Sequence, residues 1–263
     1  DGNNPVGRDR FADIIDRNSL KVRMKVRKPR TTDSSHGLPT YPNMIKNLIP
    51  SRPNQLWVSD ITYIIIWIDE YHYTFCYLSL ILDAYTEEIV GWSIGPTLET
   101  AYPLEALKMA LKRIEGVECP DLIHHSDRGV QYCCDDYVRR LQTHKIKISM
   151  TEDYNPTDNA IAERANGVIK TETVYSRKTF NSLEHARNVI GRFIHFYNYR
   201  RPHMSIGYKI PAVVHTETGA QKKMWKKKNY TKKMYNNENN GISLPCRTTG
   251  EDDGCNHHTV YSI

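Results

Sequence analysis

The sequence predicts an α/β domain in which helices cover a mixed sheet of five strands. Three strand-like runs come first, at residues 56–68, 73–83 and 88–94, and the short connections between them are typical of an antiparallel meander. The pattern then changes to helical spacing, and helices and strands alternate along the rest of the domain. A meander followed by this alternation places helices against the faces of one sheet.

The second half of the domain begins with a helix at residues 100–114, where Leu104, Leu107 and Leu111 recur at helical spacing. The elements that follow are shorter: strand 121–125, helix 135–143, strand 145–150, and helices 157–172 and 182–199. The complete order is three strands and then helix, strand, helix, strand, helix. That is the layout of the ribonuclease-H-like fold.

Basic residues are concentrated in the flanks of a chain of 263 residues with a formal net charge of +6. Residues 8–30 hold nine Lys or Arg against three Asp, and residues 222–233 hold seven Lys and no acid. Such cationic arms favour a polyanionic partner, most often nucleic acid. For the second run, a solvated tail is an equally good interpretation.

Composition also excludes several classes of protein. No apolar run approaches the length of a membrane-spanning helix. The chain opens with Asp1-Gly-Asn-Asn, which lacks the plan of a signal peptide, so we expect a cytoplasmic protein with no membrane partner. The six cysteines form no C-x-x-C pair, which favours reduced thiols, and Cys255 with His257 and His258 fits no common zinc spacing.

Asp60 stands in the middle of the first apolar strand, LWVSDITYIII, on the same face as Val58, Thr62 and Ile64. A carboxylate among core residues is unfavourable unless it is hydrogen-bonded, paired or bound to a metal. We therefore interpret Asp60 as a functional acid, with an Asp that caps a neighbouring turn as the alternative.

Asp127 follows the strand 121–125 directly, in the segment HHSDRG. Ligands of α/β sheets gather beyond the carboxyl ends of strands, and Gly129 would let the backbone turn sharply there. An ordinary turn residue is the alternative interpretation.

Glu163 lies on the helix 157–172, which Thr157 or Asp158 can cap. Helical spacing places four polar residues on one face of this helix, and the apolar residues are expected on the opposite, core-facing side. The polar face consists of Asn159, Glu163, Asn166 and Lys170, and the apolar side of Ile161, Ala165 and Val168. A polar stripe is usually only the solvated face of a helix, so the functional interpretation of Glu163 depends on the other two acids.

The three acids lie in motifs that occur in a fixed order, WVSDITYI, HSDRGVQY and NPTDNAIAER. In this order they resemble the DDE transposases and retroviral-type integrases, and thirty-five residues separate Asp127 from Glu163, as in that superfamily. Lys170 and the later segment FYNYRRPH narrow the resemblance to the second-frame product of the insertion-sequence family named for insertion sequence three. The likeness runs from about Gly7 to His215.

The resemblance implies a transposase that uses two Mg²⁺ ions, which Mn²⁺ can replace. Asp60 and Asp127 would hold Mg²⁺ between them, and Glu163 would complete the second site. Water would nick the DNA to release a 3′-OH, and that 3′-OH would attack a second phosphodiester. Asp83 at the end of the second strand is interpreted as structural.

The resemblance also suggests contacts with DNA. Lys170 would contact phosphate near the cut end, and Asn159 and His125 would contact either DNA or the metal-binding side chains. Arg200, Arg201 and His203 are candidates for backbone phosphate, with a basic helix end that favours the helix dipole as the alternative.

By the same resemblance, residues 1–30 are a remnant of an N-terminal DNA-binding region. Residues 31–53 are a linker, 54–215 the integrase catalytic core, and 216–263 a basic and then irregular tail. We expect that the helix-turn-helix module is truncated or supplied by a partner protein. A nucleoid-associated homo-oligomer that holds element ends and target DNA is also expected. The rival functions are a non-catalytic DNA-binding protein and another ribonuclease-H-like nuclease.

Overall fold

The computed structural model describes residues 7–18, 29, 31–33, 35–69, 72–152, 159–175 and 180–221. The chain divides into a unit Asp1–Lys226 and a unit Lys227–Ile263, and every described residue belongs to the first. The lysine run 222–233, Cys246, Cys255 and the proposed capping residues Thr157 and Asp158 lie outside the described residues.

A mixed sheet of five strands forms the centre of the domain, in the order β3-β2-β1-β4-β5. The strands are β1 Leu56–Trp67, β2 Tyr73–Asp83, β3 Ile89–Gly95, β4 Ile123–Ser126 and β5 Lys147–Met150. β1, β2 and β3 pair antiparallel, and β4 and β5 are parallel to β1 and to each other. The predicted meander and the predicted five-stranded mixed sheet are therefore confirmed.

Helices cover both faces of this sheet. Residues of α2 and α4 pack on one face and residues of α5 and α6 on the other. The helices of the described residues are α1 Arg8–Arg17, α2 Ala101–Arg113, α3 Val130–Cys133, α4 Asp135–Thr143, α5 Ala160–Ile169, α6 Leu183–Tyr199 and α7 Pro211–Val214. α5 runs on into a π-helical stretch, Lys170–Tyr175, and a 3₁₀ turn covers Met204–Ile206. The helices predicted after the meander are present as α2, α4, α5 and α6, whereas the short α3 and α7 were not predicted.

The alternation of β1 explains the two layers of core. Val58 and Ile64 belong to the cluster that contains residues of α5 and α6, such as Ala165. Trp57 and Ile61 point the other way, into the cluster formed with α2 and α4. Because successive side chains of a strand alternate between its faces, a nearly continuous apolar run serves both layers.

Residues 31–53 include a stretch that packs against the domain instead of spanning solvent, which differs from the expected linker. Leu38 and Tyr41 pack on the cluster beneath α2 and α4, and Ile45 and Leu48 pack on the opposite cluster. The spacing of these apolar residues would suit a helix, but Pro39 and Pro42 interrupt the segment and no helix forms there. For that reason the sequence did not identify them as part of the core.

Candidate active site

Two carboxylates meet where β1 and β4 lie side by side. The parallel register pairs Val58 with His125, and Asp60 and Asp127 each follow two residues later. Burial and the charge of Asp127 raise the pKa of Asp60 to about 7, against the opposing effect of a hydrogen bond from Asn166. The effect of Asp127 on this pKa places its charge close to Asp60.

A hydrogen bond from α5, the helix that covers Asp60, orients its carboxylate. Asn166 Nδ2 on α5 donates a hydrogen bond of 2.7 Å to Asp60 Oδ2. At the start of the same helix, Asn159 Nδ2 donates a hydrogen bond of 2.9 Å to the carbonyl of Ser59. α5 is therefore tied to β1 at the residue before Asp60 and at Asp60 itself.

Asp127 is held by two donors from different parts of the chain. Oδ2 accepts a hydrogen bond of 2.7 Å from the Thr32 hydroxyl, and Oδ1 accepts one of 3.0 Å from the backbone N–H of Gly129. Burial raises the pKa of Asp127, and both hydrogen bonds oppose that rise. Thr32 was not identified from the sequence, because it lies 95 residues from its partner.

Gly129 serves this loop for a reason other than the one expected. Its φ of −63° and ψ of 143° are open to any residue, so the turn does not require glycine conformationally. A Cβ at this position would instead lie 3.0 Å from Asp127 Oδ1 and 3.0 Å from Gln131 Oε1. The missing side chain leaves room for the carboxylate.

Glu163 lies exposed on α5, one helical turn before Asn166. Its charge adds a further, smaller rise to the pKa of Asp60, which places it within electrostatic reach of that acid. Among the residues that the structure describes, no three His, Cys, Asp or Glu side chains are grouped closely enough to hold a metal ion. Asp60, Asp127 and Glu163 are therefore neighbours that do not converge on one point.

The polar face of α5 differs from the expectation. Ala162, Ala165 and Ile169 form its core face, whereas Ile161 and Val168 are only partly buried. Asn166, expected on the solvated side, is buried. The cause is Asp60, because a polar side chain that lies over a buried carboxylate is buried together with it.

A buried polar cluster lies behind Asp60. His124 Nε2 is 2.7 Å from Ser59 Oγ and 3.0 Å from Tyr137 Oη. Burial, with the nearby ring of His125, lowers the pKa of His124 to about 3, so the imidazole is neutral. The cluster links β1, β4 and α4 directly behind the two acids.

Two proposed DNA contacts are buried. His125 has no exposed surface, and its Nδ1 lies 2.9 Å from Ser149 Oγ. Asn159 is 6% exposed and is bonded to Ser59. Because neither side chain reaches the surface, the structure does not support direct contact with DNA for either residue. The hydrogen bond of Asn159 goes to the backbone carbonyl of the residue before Asp60, and the alternative contact with the metal-binding side chains stays a prediction.

Lys170 follows the end of α5, with its Nζ 3.7 Å from the centre of the Tyr63 ring. Tyr63 is on β1, three residues beyond Asp60, and its ring packs edge-on against Phe75. A cation over an aromatic face is stabilised and held in place. The structure thus brings Lys170 to the same strand as Asp60.

The segment FYNYRRPH is mainly structural. Arg201 pairs with Glu172 at 2.7 Å, and Arg200 is exposed. His203 is 6% exposed and packs against the Tyr197 ring, and burial together with the charge of Arg201 lowers its pKa to about 4. A buried neutral imidazole is a poor phosphate ligand, so the proposed phosphate contact of His203 is not supported.

Asp83 has the structural role that was predicted. It is fully buried, and its carboxylate accepts hydrogen bonds from the backbone N–H groups of Asn54, Tyr85 and Thr86. These bonds close the β2–β3 turn and join it to the start of β1.

A five-stranded mixed sheet with acids on its first strand and beyond its fourth, covered by a helix with a third acid, places the protein in the ribonuclease-H-like class. The fold is shared with a chain of the simian T-cell lymphotropic virus intasome, solved in complex with PP2A regulatory subunit B56 gamma. The TM-score is 0.50 and the identity 18%, over 76% of this chain and 66% of that one.

Sequence comparison gives the family. Residues 50–156 and 144–211 match two families that are both described as integrase core domain. The insertion element IS600 uncharacterized 31 kDa protein of Shigella sonnei is 38% identical over 79% of this chain and 74% of its own length. Transposase InsF for insertion sequence IS3A of Escherichia coli (strain K12) is 34% identical over 66% of this chain, but only 58% of InsF is spanned.

The chain belongs to the integrase-core transposases of insertion sequences, in the family of insertion sequence three. No helix in the described part of the chain is long and apolar enough to cross a bilayer.

Proposed function

We propose that this chain cleaves DNA at the 3′ ends of an insertion element and joins those ends to target DNA, in reactions that depend on a divalent metal ion. The observation that carries the proposal is the proximity of Asp60 on β1 to Asp127, which follows the end of the adjacent parallel strand β4. Burial and the nearby charge of Asp127 both disfavour the ionised form of Asp60, and a bound divalent cation would relieve this effect.

The donor set fits Mg²⁺ or Mn²⁺. Carboxylate oxygens are the ligands that these hard cations favour, and Asp60, Asp127 and Glu163 offer no nitrogen or sulfur. Asp60 and Asp127 would hold the first ion, and Glu163 would complete a second site after a small approach of α5. Two such ions supply activation of the attacking oxygen and stabilisation of the leaving one.

Other residues of the chain would orient the acids and bind DNA phosphate. Asn166 orients Asp60, and the cluster of Ser59, His124 and Tyr137 keeps β1 and β4 in register behind it. Lys170 supplies a positive charge beside β1 for a DNA phosphate, and the exposed Arg200 can supply another. Arg201 would first have to leave Glu172.

The partners follow from the same family. We infer element ends and target DNA as substrates, a homo-oligomer that holds two ends, and action on DNA in the nucleoid of the cytoplasm. A second protein that supplies the helix-turn-helix module remains a prediction.

A strand-transfer assay tests the function. The protein is incubated with Mg²⁺ or Mn²⁺ and nicked oligonucleotides that carry candidate element ends, and the variants are Asp127→Asn and Asp121→Asn. Asp121 is a matched control because its carboxylate is exposed and forms surface ion pairs with Arg52 and Lys147. We expect metal-dependent joined product from the wild type and from Asp121→Asn, and none from Asp127→Asn.

Other results of this assay would favour the rival functions. Cleavage without joining would favour another ribonuclease-H-like nuclease. Retarded DNA without any product would favour a non-catalytic DNA-binding protein. Equal product from Asp127→Asn would remove that residue from the site.

A further inference from the structure

The segment 31–48, here named the strap, crosses the loop that carries Asp127. Residue 34 is outside the described residues. We infer that the strap is part of the active site and that Thr32 is a positioning residue for Asp127. This inference rests on the proposed function, because it concerns how an acid of that site is oriented.

Three hydrogen bonds connect the strap to the loop that carries Asp127. Thr32 Oγ1 donates to Asp127 Oδ2 at 2.7 Å. The backbone N–H of Val130 donates to the Asp33 carbonyl at 3.1 Å, and the His36 ring bonds the Arg128 carbonyl at 2.8 Å. The last two contacts do not involve Thr32, so the strap keeps its place when the Thr32 hydroxyl is removed.

Further along, the strap is anchored to β5. The backbone N–H of Met44 donates to Ser149 Oγ at 2.9 Å, and the N–H of Met150 donates to the Pro42 carbonyl at 3.4 Å. Leu38 and Tyr41 pack on the core beneath α2 and α4. These polar and apolar contacts fix the backbone path of the strap. The Thr32 hydroxyl is therefore held at a fixed position beside Asp127.

The hydrogen bond orients the carboxylate and still leaves it able to bind a cation. An ionised carboxylate has about four lone-pair sites on its two oxygens. Gly129 occupies one site on Oδ1 and Thr32 one site on Oδ2, which leaves a site on each oxygen for a cation. Gly129 belongs to the same loop as Asp127 and moves with it, whereas Thr32 fixes the carboxylate relative to a separate segment.

The opposite role would be a block, in which Thr32 competes with the metal for Oδ2. The two roles predict opposite effects of removing the hydroxyl. If Thr32 positions Asp127, metal binding weakens when the hydroxyl is lost; if Thr32 blocks it, metal binding tightens.

The test compares Thr32→Val, which keeps the shape, with Thr32→Ser, which keeps the hydroxyl. Thr216→Val is the matched control, because the exposed Thr216 hydroxyl makes a comparable bond of 2.9 Å to the Val213 carbonyl, elsewhere in the domain. The first readout is Mn²⁺ binding to the DNA-free protein by electron paramagnetic resonance. The second is the strand-transfer rate over a range of Mg²⁺ concentrations.

We expect Thr32→Val to weaken Mn²⁺ binding by about 10-fold, the size typical for loss of a bond to a metal ligand. Its strand transfer should need correspondingly more Mg²⁺. Thr32→Ser and Thr216→Val should match the wild type. If Thr32→Val folds poorly, Thr32→Ala gives the same comparison without the branched methyl.

Unchanged Mn²⁺ binding in Thr32→Val, equal loss in Thr32→Ser, or tighter binding would each overturn the inference, and tighter binding would identify a block. Failure of the proposed function has a different signature. In that case the wild type makes no joined product, or Asp127→Asn binds Mn²⁺ as well as the wild type does.

Discussion

Asn166 and Asp60 form a hydrogen bond of 2.7 Å between a buried helix side chain and a carboxylate in the middle of a strand. The amide offers Asp60 a donor in a place where burial disfavours its charge, and this bond lowers the pKa of Asp60 against the larger effect of burial. The bond also helps to fix the distance between α5 and β1. It therefore affects the position of Glu163 relative to the two aspartates.

Replacement of Asn166 by Ala should reduce the strand-transfer rate by about 10- to 100-fold, because Asp60 loses the side chain that orients it. The exposed Asn181, which bonds His185 at 2.8 Å on the surface, provides the control Asn181→Ala. Rates are measured at saturating Mg²⁺ on pre-nicked ends. A wild-type rate in Asn166→Ala would show that the bond has no part in the reaction.

Asn198 holds the first residue of β3 as a neighbouring strand would. Its amide accepts from the N–H of Ile89 and donates to the carbonyl of the same residue, both at 2.9 Å, and Asn198 is buried. Asn198→Ala would leave two backbone groups unsatisfied in the core. We expect a loss of about 3 kcal/mol in the free energy of unfolding.

Chemical denaturation measures this loss, and Asn188→Ala, an exposed asparagine on the same helix, should change the free energy by less than about 0.5 kcal/mol. Equal free energies for the two variants would contradict the role of Asn198 as a substitute strand.

The buried Glu88 joins two cations, Arg113 Nη2 at 2.5 Å and His215 Nδ1 at 3.0 Å. The bond to Glu88 raises the pKa of His215 above its usual 6.5 in spite of burial. Burial alone would raise the pKa of Glu88, but the bond to His215 and the charge of Arg113 lower it overall. Both shifts favour the charged pair.

The two directions define a pH window. A raised histidine pKa stabilises the folded state fully below the unfolded pKa of His, and this contribution is lost as the pH rises through the folded pKa. A lowered glutamate pKa contributes above the unfolded pKa of Glu, and this contribution is lost as the pH falls. The wild type should therefore exceed His215→Gln in unfolding free energy most at about pH 5.5 and least at about pH 8.5. Denaturation at both pH values checks this, and a gap that grows with pH would refute it.

Gly91 on β3 packs so closely against α2 that a Cβ at this position would overlap the carbonyl oxygen of Ala106. Gly91→Ala must separate β3 from α2, and we expect a loss of at least about 2 kcal/mol in the free energy of unfolding. Gly167 lies on α5 with nothing within 4 Å of the place that a Cβ would occupy, so Gly167→Ala should stabilise the fold by about 1 kcal/mol.

Thermal melts of Gly91→Ala and Gly167→Ala should therefore shift in opposite directions from the wild type. A melt of Gly91→Ala at the wild-type temperature would mean that β3 and α2 are not in close contact.

Local sequence patterns determined much of the fold and part of the candidate site. The strand runs, the helices after them, the place of Asp60 within a strand and the place of Asp127 just after another follow from periodicity, which depends on residues close in the chain. That these two strands are neighbours is shown by their pairing in the sheet. The role of Asp60 and Asp127 as metal ligands with Glu163 stays a prediction.

Tertiary structure decided which polar residues are buried and which segments meet. His125, Asn159 and His203 look like surface residues in the sequence, but the packing of sheet and helix encloses them. Thr32 reaches Asp127 across 95 residues. A hydrogen bond between segments so far apart leaves no local period, because it depends on the path of the whole chain and not on the spacing of neighbours.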